Sequence, residues 1–154
     1  MPRQCKDTVA VLGIDIGKNT FHFVGFNKRG AIVLRLKLSR RQLEARLANL
    51  PPCLVGMEAC VGAHHLSRQL LVLGHDVKLV PGQFVKPFLK GQKNDFRDAE
   101  AVAEAVQRPT MRFVHQRPLS ARSRHEGCRL SHMASAIARN RAFSKVAMRV
   151  GAGF

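Results

Sequence analysis

The sequence predicts an α/β fold: one mixed β-sheet with helices packed on its faces. Three observations carry this. Three apolar segments joined by tight turns open the chain, two later apolar segments alternate with helical patterns, and a strongly helical Ala/Glu stretch follows. Val9 to Ile16 reads as a strand. "TFHFVGF" (Thr20–Phe26) reads as a second, and the short "GKN" between them suits a hairpin. After the "NKRG" turn, "AIVLRLKL" (Ala31–Leu38) alternates, with Ile32, Leu34, Leu36 and Leu38 on one face. These three form an antiparallel meander.

The period then changes. Ser39 followed by Gln42 matches a capping box, Leu43, Leu47 and Leu50 fall at helical spacing, and Pro51-Pro52 ends the helix. "CLVGME" (Cys53–Glu58) is a short buried strand. A helix from Gly62 to Leu73 follows, with Gly74 as its stop, and "DVKLVP" (Asp76–Pro81) is the next strand. "NDFRDAEAVAEAVQ" (Asn94–Gln107) is a helix stopped before Pro109. Strands separated by helices imply parallel pairing through crossovers, which makes the first and fourth strands neighbours.

The 154 residues suffice for one ordinary domain. No apolar run approaches the ~20 residues of a membrane helix, and "MPRQCKDT" lacks a secretory signal, so a cytoplasmic protein is expected. Cys5, Cys53, Cys60 and Cys128 form no CxxC pair and are expected to be reduced thiols. Cys60, His64 and His65 offer three zinc donors, Cys60 and His64 at helical spacing, but with no fourth ligand visible a helix face is the better reading. Charge is the strongest global signal: 26 Lys and Arg against 10 Asp and Glu give +16, a field suited to nucleic acid. Residues 1–115 carry 18 basic and 9 acidic residues, a net of +9; residues 116–154 carry 8 and 1, a net of +7, in a quarter of the chain.

Asp15 sits in the apolar run "VLGIDIGKNT", where an uncompensated carboxylate is costly. Glu58 ends the fourth strand, and Asp95 and Asp98, three apart, share one face of the last helix. A helix crossing the sheet end would gather all four. Close carboxylates raise one another's pKa, and a divalent cation such as Mg²⁺ removes that penalty. Each acid also has an ordinary role: Asp95 as helix cap, Asp98 at the positive helix end, Glu58 facing water, Asp15 bonding turn amides. Lys86, Lys90, Lys93 and Arg97 lead into the acidic helix and suit phosphate contacts. Phe84 and Phe88 among them suit core packing better than base stacking. "DIGKNT" also matches the first phosphate loop of the actin and sugar-kinase fold, but no second phosphate motif or lobe accompanies it.

"GIDIGKNTFHFVGF", "GMEACVGAHH", "VKPFLKGQKNDFRDAEAVAEA" and "RPTMRFV" together resemble the DEDD transposases of bacterial insertion sequences, recombinases guided by a bridge RNA. The resemblance covers residues 8–114. It implies an RNase H-like fold of the Holliday-junction-resolvase (RuvC-like) type. It further implies Asp15, Glu58, Asp95 and Asp98 as catalytic acids binding Mg²⁺, DNA and a guide RNA as ligands, and several protomers assembled on DNA. Family members continue into a second domain with a nucleophilic serine. Residues 115–154 do not follow that pattern, so a frameshifted or truncated reading frame is expected, with a basic tail that is either frameshifted or disordered and with the serine domain absent. Two functions compete: a transposase catalytic-domain fragment for metal-dependent DNA cleavage and transfer, or a non-catalytic nucleic-acid-binding remnant of one.

Overall fold

The computed structural model describes residues 8–92 and 94–116, apart from the side chain of Glu44. Lys93, Cys5, Cys128 and the tail from residue 117 onward lie outside the described residues.

The elements run in the expected order: β1 (Val11–Ile16), β2 (Thr20–Phe26), β3 (Ile32–Ser39), α1 (Arg40–Ala48), β4 (Leu54–Glu58), α2 (Val61–Val72), β5 (Asp76–Val80), α3 (Gly82–Val85), a single 3-10 turn (Lys86–Phe88) and α4 (Asp95–Val106). The five strands form one sheet in the order β3-β2-β1-β4-β5. β1 pairs antiparallel with β2 and parallel with β4, so it lies at the centre. Local chemistry fixes the turns. The Asn27 side chain accepts from the backbone amides of Arg29 and Ala31, both at 2.9 Å, and closes the β2–β3 hairpin. Gly74, at φ +88°, ends the α2 region with a backbone angle that a side chain would oppose. At the start of α1 the Gln42 carbonyl accepts from the Ser39 amide at 3.1 Å.

Alternation along β1 divides the core. Leu12 and Ile14 are fully buried and point away from α4. Val11 and Gly13 face α4, which lies across β1, β2 and β4 on that side. α1 packs on β3 and β2, and α2 on β5. α4 buries Ala99, Val102, Ala103 and Val106, one face at helical spacing. Burial of each valine contributes about 1.5 kcal/mol or more.

Two paired glycines let α4 come this close. Gly13 and Gly56 are partners across β1 and β4. A Cβ on Gly13 would strike the Ala99 carbonyl and lie 2.8 Å from Ala103 N and Cβ; one on Gly56 would lie 3.0 Å from Val106 Cβ. The small Ala face of the helix and the bare strand backbone therefore fit as a pair.

After α4 the chain returns to the β5 edge, an element without sequence periodicity. Val114 N–H donates to the Leu79 carbonyl at 2.8 Å, and the Gln116 amide donates to the Val77 carbonyl at 3.2 Å. Phe84 and Phe88 pack against the α4 core, with Arg108 5.4 Å above the Phe88 ring. Core packing is therefore their structural role.

Candidate metal centre

Asp15 and Glu58 stand at the C-terminal ends of parallel neighbours β1 and β4, so both reach the same end of the sheet. The α4 N-terminus meets them there. Asn94, not Asp95, caps that helix: its side chain accepts from the Phe96 amide at 2.9 Å. Asp95 is thus the first helical residue with its carboxylate unspent on the cap, and Asp98 lies one turn on. The four carboxylates line a single open cleft of about 540 Å³, together with Lys86, Lys90 and Arg97. Lys93 lies outside the described residues.

The acids are not equivalent. Asp95 is exposed, Asp98 is half-buried, and the Asp15 side chain is only 24% exposed. Burial foremost, then the charges of Asp98 and Asp95, push the Asp15 carboxyl up from 3.8 to about 6; His22 opposes this and Glu58 adds to it. The turn after β1 closes through its own backbone, Gly17 N–H donating to the Thr20 carbonyl at 2.9 Å.

The basic residues also differ. Lys90 Nζ lies 2.6 Å from Glu104 Oε1 and 3.6 Å from Glu100 Oε1, so two glutamates engage its charge, and they hold its pKa above the usual lysine value. Arg97 donates to the Gln92 carbonyl at 3.3 Å.

One member of the cluster was not expected from the sequence. His22 on β2 pairs directly with Asp15 on β1. It is 3% exposed, and its Nδ1 has no hydrogen-bond partner among the described residues. That atom lies 3.8 Å from Asp15 Oδ2 and 3.6 Å from Asp95 Oδ2. Phe96 holds the ring edge-on, with centroids 4.9 Å apart. The available signal was a polar residue inside the apolar run "TFHFVGF". One donor atom each from Asp15, His22 and Asp95 fall within 4.8 Å of one another, the one such group among the described residues. Donors bonded to one ion at about 2.1 Å lie at most about 4.2 Å apart. The two His22–carboxylate separations, 3.8 and 3.6 Å, fall under that limit, so an orphaned buried nitrogen facing two mutually repelling carboxylates fits a divalent cation.

Comparison with known proteins identifies the family. A family model described as a transposase, DEDD_Tnp_IS110, matches residues 12–129. The chain is 53% identical over 109 residues to the transposase for insertion sequence element IS1328 of Yersinia enterocolitica, covering 71% of this chain and 33% of that protein. It is 40% identical over 112 residues to the transposase for insertion sequence element IS1111A of Coxiella burnetii, covering 73% of this chain and 30% of that protein. The chain thus spans about a third of the length of these relatives. Its mixed five-stranded sheet with flanking helices is the RNase H-like arrangement of such a domain. Because the family model covers well over half of the sequence, the chain belongs to the DEDD transposase family.

Proposed function

We propose that this chain is the catalytic-domain portion of an insertion-sequence transposase that cleaves and transfers DNA strands with divalent metal. The observation that carries this is the convergence of Asp15, Glu58, Asp95 and Asp98 from three elements on one cleft. Their hard oxygen donors suit Mg²⁺. The chemistry supplied by bound Mg²⁺ is activation of the attacking oxygen and stabilisation of the leaving one in phosphodiester transfer. Asp15, partly desolvated and crowded by like charges, has the most to gain from a cation. Lys86 and Arg97, on the same cleft, hold the DNA phosphates beside the acids. Lys90 contributes less, because Glu100 and Glu104 already engage it. Lys93 is assigned to the same phosphate path from sequence alone. A guide RNA and assembly of several protomers are the partners that the family resemblance supports.

Thermal unfolding tests the metal. At ten times its dissociation constant, Mg²⁺ stabilises the fold by about 1.4 kcal/mol, a Tm rise of roughly 4–8 °C. A Tm unmoved by millimolar Mg²⁺ argues against the metal centre and favours the non-catalytic, nucleic-acid-binding alternative. DNA binding is expected to weaken steeply with salt. Lys86→Ala and Arg97→Ala should each reduce the log–log slope by about 1, and Lys90→Ala by less. Salt-insensitive binding removes the polyanion argument.

A further inference from the structure

The four acids account for hard cations but leave His22 unexplained. A buried imidazole nitrogen without a hydrogen bond is costly in a finished core. Here that nitrogen faces two carboxylates, at 3.8 and 3.6 Å. Those separations exceed a hydrogen bond but suit two donors sharing one ion. β-pairing fixes His22 opposite Asp15, and Phe96, next to Asp95 on α4, fixes the ring. The imidazole is thus held by the same two elements that deliver the carboxylates.

We propose that His22 Nδ1 is a direct ligand of the cation held by Asp15 and Asp95. This makes the position a mixed nitrogen–oxygen site, while the side of the cleft formed by Glu58 and Asp98 offers oxygen alone. The inference rests on the metal-centre reading above. A neutral imidazole with its proton on Nε2 presents the Nδ1 lone pair to the ion. Nitrogen donors favour Mn²⁺ and the later transition metals over Mg²⁺ and Ca²⁺. The position against β2 therefore favours the softer ion.

Mn²⁺ alone is the probe, added to the full chain and read by pulsed electron paramagnetic resonance. Bound Mn²⁺ should show ¹⁴N coupling that changes when histidine is labelled with ¹⁵N. His22→Asn should abolish it, weakening Mn²⁺ on the order of tenfold and Mg²⁺ much less. Bound Mn²⁺ without nitrogen coupling, or coupling that survives in His22→Asn, overturns the ligand assignment alone. Failure of Mn²⁺ to bind at all overturns the metal centre beneath it. If His22→Asn does not fold, the labelled spectra of wild type and Asp15→Asn decide: coupling lost with Asp15 places the imidazole on the ion that Asp15 and His22 share, and coupling that persists overturns the assignment.

Discussion

Gly13→Val is expected to destabilise the domain by about 3 kcal/mol or more. The added Cβ meets the Ala99 carbonyl and lies 2.8 Å from Ala103 N. These are backbone atoms of α4 and cannot rotate aside. The helix must lift from the sheet, exposing Val102 and Val106 and carrying Asp95 and Asp98 away from Asp15. Urea unfolding of the variant checks the stability, and its loss of Mg²⁺ response checks the link to the site. Gly62→Ala is the control. Its Cβ would find only Ile16 Cγ2, at 3.6 Å, and it lies inside α2, so it should be neutral or slightly stabilising. A Gly13→Val protein that unfolds like wild type refutes the close docking of α4.

Asp15→Asn should raise stability without metal and eliminate the gain from Mg²⁺. The folded chain holds the Asp15 proton more tightly than the unfolded chain, about 6 against 3.8. That contribution to stability is complete below the unfolded value and is lost as pH rises through about 6. The full shift corresponds to at most about 3 kcal/mol, and the solvent still reaching the carboxylate reduces this to roughly 1–2 kcal/mol. In chelator at pH 8 the Asn variant should therefore melt above wild type, with the difference vanishing below pH 4. In Mg²⁺ at a hundred times its dissociation constant, where binding contributes about 2.7 kcal/mol, the order at pH 8 should reverse, because only wild type retains the ligand. Mg²⁺ affinity of wild type should also fall below pH 6, where a proton competes for Asp15. An Asn variant that still gains stability from Mg²⁺ removes Asp15 from the metal centre.

The sheet was legible because each strand declares itself locally. Alternation in "AIVLRLKL" and the turn chemistry of "NKRG" and Gly74 act within a few residues, and the observed boundaries follow them closely. The placing of β1 beside β4 followed from crossover logic. The acids were legible by type, since carboxylates at strand ends and in a first helical turn are conspicuous. His22 was not, because its role depends on cross-strand register and on a ring contact with a residue 74 positions later. The Val114 bridge to Leu79 is a single hydrogen bond and leaves no periodic trace. The meaning of Gly13 and Gly56 also required the partner surface. Either glycine alone reads as a weak point in a strand, whereas together they are a seat for a helix.

The docking of α4 has a consequence in time. Asp15 and Glu58 leave the ribosome with the strands, but Asp95 and Asp98 arrive only with α4, some 80 residues after Asp15. Until that helix seats on Gly13 and Gly56, the nascent sheet bears two separated acids instead of a crowded cluster. The electrostatic cost of the site is thus deferred to the docking of α4. If the cleft holds the proposed cation, its binding would then favour the docked position of α4.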